Sequence, residues 1–167
     1  MKKIISAVAV VVALSMSSLN YGTAHAQDFD KGIAAYSAGD YATALQEWRP
    51  LAEQGDASAQ FNLGIMYEKG WGVPQGYGEA VSWYRKAAEQ GNALAQTNLG
   101  SKYHYGQGVI QDNILAHMWY NIGGANGNEL GSENRNNIAK GMTPQAIEQA
   151  QAMARGCMSS NYRNCGY

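Results

Sequence analysis

Apolar residues recur at helical spacing through most of the chain. Between 57 and 69, Ala59, Leu63 and Tyr67 fall at i, i+4 and i+8, one face of a helix. The spacing predicts a helix over 57–69. Gly64, beside Leu63, costs roughly 1 kcal/mol of helix propensity against alanine, so a packing reason is expected: room for a second helix to come close. Gly70-Trp71-Gly72-Val73-Pro74 then predicts a turn. A second helix follows over about 77–89, with Ala80, Trp83, Tyr84, Ala87 and Ala88 on its apolar face. Gly91 supplies a C-terminal stop, and Asn92 can cap the next helix. The next pair is predicted at about 93–105 and 113–125. Residues 131–140 read as one more helix. Thr143-Pro144 reads as a cap followed by the first helical position, opening a helix to about Arg155 with Ile147, Ala150 and Ala154 on one stripe. No segment alternates apolar and polar residues long enough to predict a sheet, so the expected class is all-α.

The pattern repeats every 36 residues. Ala59-Gln60-Phe61-Asn62-Leu63-Gly64 returns as Ala95-Gln96-Thr97-Asn98-Leu99-Gly100. The recurrence continues from Tyr67 to Tyr103, Gly70 to Gly106, Gly72 to Gly108, Gln75 to Gln111, Trp83-Tyr84 to Trp119-Tyr120 and Gly91-Asn92 to Gly127-Asn128. A fixed period of this size marks a stacked array, which binds partners along a continuous surface rather than in an enclosed active site. Three units are expected, at about 28–55, 56–91 and 92–127, followed by a helical C-terminal cap over 128–167. The first unit aligns from Tyr41 to Gly55 with Tyr77 to Gly91 at an offset of 36. Tyr36 and Gly39 match Tyr67 and Gly70 at an offset of 31, which predicts an inter-helix loop five residues shorter.

Residues 1–26 read as a leader. Lys2 and Lys3 precede an apolar run from Ile4 to Leu14, and Ala24-His25-Ala26 has the small-x-small form of a signal-peptidase site. The run is shorter than the roughly 20 apolar residues a membrane span needs. The expected location is therefore periplasmic or secreted, with no integral span after cleavage. Losing two lysines lowers the formal net charge of −1 by two, and no basic run remains. That argues against nucleic acid, whose phosphates need a concentrated cationic face.

The two cysteines, Cys157 and Cys165, read as a disulfide in an exported chain. Eight residues of continuous helix would hold them roughly 12 Å apart, beyond the ~7 Å a disulfide allows. The chain must turn between them, and Met158-Ser159-Ser160-Asn161 is the expected place.

These residues resemble the Sel-one-like repeat, a relative of the tetratricopeptide repeat. Its unit reads A-x-x-x-L-G-x-x-Y, then G-x-G-V, then A-x-x-W-Y-x-x-A-A and a glycine turn. Ala59, Leu63-Gly64, Tyr67, Gly70, Gly72-Val73, Ala80, Trp83-Tyr84, Ala87-Ala88 and Gly91 fill every place. The next unit has Gly123-Gly124 where the paired alanines would stand, which predicts a weaker second helix there. The resemblance implies a short right-handed α-solenoid of antiparallel helix pairs that serves as an adaptor or scaffold for a protein or peptide partner. A cysteine-rich branch of the family is linked to β-lactam binding or hydrolysis. That makes a β-lactam- or cell-wall-directed hydrolase the alternative, but the repeats here contain no cysteine.

Catalytic signals are sparse. No Ser-x-x-Lys, Gly-x-Ser-x-Gly or His-Glu-x-x-His motif occurs. His104 and His117 have no companions at metal-ligand spacing, so neither a metal nor another cofactor is expected. The recurring aromatics Tyr67, Trp83, Tyr84, Tyr103, Trp119 and Tyr120 read as packing between helices. Trp71 sits in a turn and pairs with Gln107, so it is either an exposed contact or folded back onto a neighbouring repeat. In tetratricopeptide-like arrays the first helix of each pair lines the concave groove. By that resemblance Ser58, Asn62, Ile65 and Lys69 would face a ligand, with Leu94, Asn98, Ser101 and Tyr105 in the next repeat. These residues lie about 200–260° around the helix from Leu63 or its counterpart Leu99. The carboxamides suit peptide backbone or carboxylate recognition; an ordinary solvated helix face is the other reading. Self-association is left open by the sequence. Closing the cysteine loop should stabilise the fold by about 2–3 kcal/mol. Cys157→Ser is therefore expected to lower the melting temperature while leaving the helical circular-dichroism signal unchanged, and equal melting of oxidised and reduced protein would refute the bond.

Overall fold

The computed structural model describes residues 29–166, and the leader lies outside them. Those residues form eight α-helices and no strand: α1 (29–37), α2 (Tyr41–Glu53), α3 (Ala57–Lys69), α4 (Tyr77–Ala88), α5 (Ala93–Tyr105), α6 (Asn113–Ala125), α7 (Glu129–Ala139) and α8 (Pro144–Ser159). Helices packed in sequence make the stack: α3 on α4, α4 on α5, α5 on α6 and α6 on α7.

Local chemistry explains the boundaries. Asp56, Asn92 and Asn128 each stand just before a first helix, and each side chain accepts the N–H three residues on, at 2.7, 2.9 and 2.9 Å. Thr143 does the same for α8, with Pro144 in the first turn. Gly70 and Gly106 end α3 and α5 in the left-handed conformation, which glycine adopts without strain.

Gly64 fills the role expected of it. A Cβ there would come within 2.5 Å of the Tyr84 ring, and one at Gly100 within 2.8 Å of the Tyr120 ring. At Gly32 a Cβ would run into the Trp48 indole. Trp48, Tyr84 and Tyr120 are 36 residues apart, so each unit seats one aromatic of its second helix on a glycine of its first.

This seat corrects the alignment of the first unit. Gly32 corresponds to Gly64, an offset of 32, so Tyr36 stands where Glu68 stands rather than Tyr67. Residues 38–40 join α1 to α2 where 70–76 join α3 to α4, a difference of four residues, not five. Tyr36 drew the wrong match because its chemistry resembles Tyr67 while its position does not.

Gly123-Gly124 does not loosen α6, which runs unbroken to Ala125. A Cβ at Gly123 would meet Thr97 Oγ1 at 2.5 Å, and one at Gly124 would strike Ser132 of α7. Gly131 meets Gly124 in turn, so the glycines let α5, α6 and α7 approach at one point.

Trp71 folds back. It stacks on Tyr41 with ring centroids 5.0 Å apart and planes 4° from parallel, and meets Tyr36 edge-on at 5.7 Å. The cap departs from the pairing of the repeats, because α8 packs on α6 rather than beside α7. Ala150, Ala154 and Cys157 are its buried stripe. Cys157 and Cys165 are bonded, their Cα atoms 4.4 Å apart. The helix runs on to Ser159, and the reversal comes at Asn161 and Tyr162, both left-handed (φ 53° and 62°). A tyrosine in that region is uncommon. Here its hydroxyl is tied to the Asn126 carboxamide at 2.9 and 3.1 Å, and its ring lies over Gly91.

Gly64→Ala should cost about 1–3 kcal/mol by overpacking. Gly156→Ala, on α8 with open space around it, should instead stabilise by up to about 1 kcal/mol through helix propensity. Urea unfolding of both variants checks the pair, and equal effects would show that the Tyr84 seat is not tight.

Candidate functional site

Side chains at equivalent positions meet at each joint between successive units, and each joint has a different chemistry. At the first joint Tyr36, Tyr41 and Trp71 form the aromatic cluster described above, with buried Met66 in the same core. Burial, with Tyr41 beside it, pushes the Tyr36 hydroxyl's pKa up.

The second joint is ionic. Position 66 becomes Lys102, Tyr41 becomes Tyr77 and Trp71 becomes Gln107. Lys102 is 3% exposed, and its ammonium lies 2.9 Å from Glu68 Oε1, 2.8 Å from Gln107 Oε1 and 5.1 Å from the centre of the Tyr77 ring. The other carboxylate oxygen of Glu68 accepts the Tyr84 hydroxyl at 2.8 Å. Burial, and then the Glu68 charge, raise the Tyr84 pKa far above its ordinary value, so it stays a donor. A buried ammonium requires such partners, because an unpaired one would carry a large desolvation cost.

The third joint is open. Position 68 becomes His104, Tyr77 becomes Asn113 and Lys102 becomes Ile138. With Asn137 and Gly141 these line a cleft of about 320 Å³. His104 Nδ1 lies 2.9 Å from Asn113 Oδ1, and Lys140 donates to Asn137 Oδ1 at 3.1 Å. His117, one turn further along α6 from Asn113, is buried, and its Nδ1 is unpaired. Burial and the facing Arg135 both lower its pKa, which favours the neutral ring.

Two polar ladders recur along the stack. Gln60 and Gln96 are buried and donate to the carbonyls of Ala52 and Ala88 at 3.0 Å. Their own oxygens accept from Gln90 and Asn126 at 2.7 and 2.8 Å. Arg49 and Arg85 donate to the Tyr67 and Tyr103 hydroxyls.

The eight predicted groove residues divide into two sets. Ser58, Lys69, Leu94 and Tyr105 are exposed, Leu94 by 50% and Tyr105 by 67%. Asn62, Ile65, Asn98 and Ser101 are half-buried. Ile65 packs on the core. Asn98 bonds the Tyr84 hydroxyl, and Ser101 Oγ accepts from the Tyr120 hydroxyl at 3.0 Å. Sequence reasoning missed Glu68, Lys102 and the glutamines. Lys102 carried a signal: it lies three residues after Leu99, a core position, and its counterpart Met66 is apolar.

Models of the Sel1 repeat match residues 57–92 and 93–128. The chain therefore carries two Sel1 repeats. The chain is similar to the crystal structure of a protective antigen present in uropathogenic Escherichia coli strains, which displays an SLR fold. The two are 32% identical with a TM-score of 0.78, over 84% of this chain and 31% of that one. It is also similar to a Sel1 repeat protein from Oxalobacter formigenes, at 27% identity and a TM-score of 0.65, over 83% of this chain and 56% of the other. The chain thus spans about a third and just over half of those proteins. No curated protein matches it. An all-α solenoid of consecutively packed helix pairs is the shared architecture, and Sel1 repeats typically mediate protein interactions. Among the described residues no group of three or more His, Cys, Asp or Glu could hold a metal ion, and no helix is long and apolar enough to cross a membrane.

Lys102→Met restores the residue found at this place in the preceding repeat and leaves Glu68 with only the exposed Lys69, 3.8 Å away. It should destabilise by about 1–3 kcal/mol, while Glu68→Gln combined with it should recover most of the loss. A double-mutant cycle by urea unfolding measures this; coupling under about 0.5 kcal/mol would show the pair to be inert.

Proposed function

We propose that the chain is a non-catalytic adaptor, exported to the cell envelope, that holds an extended segment of a protein partner across its first helices. The observation that carries this reading is a row of carboxamides. Asn62, Asn98 and Asn134 stand 36 residues apart at one register position of α3, α5 and α7, and all three are half-buried. An asparagine offers two donors and an acceptor, matching the alternating groups of a peptide main chain. Successive first helices of such an array lie on the order of 10 Å apart, and an extended peptide advances roughly 3.3 Å per residue. One carboxamide would therefore meet every third residue of a bound strand. Exposed Leu94 and Leu130, equivalent positions at the starts of α5 and α7, flank the row with apolar surface, and Lys69 and Tyr105 stand at the far helix ends.

Export is supported by the pattern of residues 1–26 and by the disulfide, since such bonds persist in oxidising compartments. The test immobilises the protein, captures partners from an envelope extract and identifies them by mass spectrometry. Replacing Asn62, Asn98 and Asn134 together with alanine should abolish capture while the circular-dichroism spectrum stays the same. Capture equal to that of the unmodified protein would reject this face.

A further inference from the structure

We infer that the open third joint is a carboxylate-binding cleft that takes an acidic side chain of the partner. The inference rests on the groove reading for its occupant and on the cleft's own hydrogen bonds for its chemistry. The cleft occupies the place that the Lys102 ammonium fills one repeat earlier, because Ile138 carries no polar group to the same point. None of the five lining residues is acidic. Asp112, adjacent in sequence, is engaged with the N–H groups of Ile114 and Leu115 at 2.8 and 3.0 Å.

The two lining asparagines supply the donors. A carbonyl oxygen only accepts, so His104 Nδ1 carries the proton in its bond to Asn113 Oδ1, and Nε2 is the acceptor of the neutral ring. Lys140 likewise engages Asn137 Oδ1. With both amide oxygens engaged inside the protein, the Nδ2 protons of the two side chains remain for a ligand, and the Lys140 ammonium stands beside Asn137. A carboxylate only accepts hydrogen bonds and is anionic, which matches that inventory. Ile138 at the floor suits the methylenes of a glutamate or aspartate. Tyr105, 67% exposed, leans edge-on against His104 with centroids 4.6 Å apart. It joins the cleft to the predicted groove, so one bound segment could reach both.

The test is an amide NMR titration of the full chain with N-acetylglutamate, using N-acetylglutaminamide as the neutral counterpart. The acidic probe should shift the side-chain amides of Asn113 and Asn137 and the backbone amides of Ile138 and Gly141. The neutral probe should bind at least about tenfold more weakly. Asn113→Asp with Asn137→Asp places like charge in the cleft and should weaken the acidic probe about tenfold or more. Residue 113 opens α6, where an acid is favourable, and an unchanged melting curve confirms that the fold is intact. Asn113→Ala with Asn137→Ala, which removes the donors without adding charge, should also weaken binding. Equal binding of the two probes, shifts confined to other residues, or no shift at tens of millimolar probe each overturn the assignment. If the cleft fails while the Asn62, Asn98 and Asn134 substitutions still abolish capture, the groove reading stands without it.

Discussion

An aromatic ring resting on a bare Cα sets the geometry of every unit. Trp48 lies on Gly32, Tyr84 on Gly64 and Tyr120 on Gly100. Each glycine forfeits roughly 1 kcal/mol of helix propensity, while a buried aromatic recovers more through the surface it removes from water. The seat also fixes where the polar tip of the ring ends up. The Trp48 N–H reaches the Phe29 carbonyl at 3.2 Å, the Tyr84 hydroxyl reaches Glu68 and the Tyr120 hydroxyl reaches Ser101. Those last contacts lie on the first helix, and Glu68 goes on to meet Lys102 at the joint with the following unit. Packing inside a unit thus determines which atoms are available between units.

The joints show how a regular backbone can carry irregular chemistry. One set of positions is aromatic at the first, ionic at the second and an open cleft at the third. In a solenoid each unit contacts only its neighbours, so stability is set joint by joint. A joint that opens into a cleft gives up burial locally without disturbing the stack elsewhere. The glutamine ladder helps here: Gln60 and Gln96 make the same bond back to the preceding unit, at Ala52 and Ala88, whatever occupies the joint.

Much of this was legible in the residues. The 36-residue recurrence gave the helix pairs, Gly64 announced a close approach, and Asn92 and Thr143 marked the helix starts. The first unit was misaligned because Tyr36 and Tyr67 share a side chain, whereas the true correspondence depends on which residue sits over Trp48. The doubled glycine at 123–124 read as a weakness because its reason, Ser132 on α7, is nearly ten residues away in sequence but adjacent in space. Gln60 and Gln96 were visible as repeats, yet a buried amide and an exposed one look alike until the carbonyl it reaches is known. The cleft left no sequence signal, since it arises from a side chain that ends short where three helix ends converge.

The way α8 lies across α6 bears on how copies of this chain can meet. A regular second helix would pair with α7 and present a fresh flank on which another unit could stack. Such head-to-tail contacts do not close, and a repeat whose end matches its beginning is prone to grow into filaments. By folding back, with its tail stapled by the disulfide and pinned by Tyr162, α8 replaces that template with a surface unlike the start of the array. The two ends of the stack are therefore chemically and geometrically unlike each other.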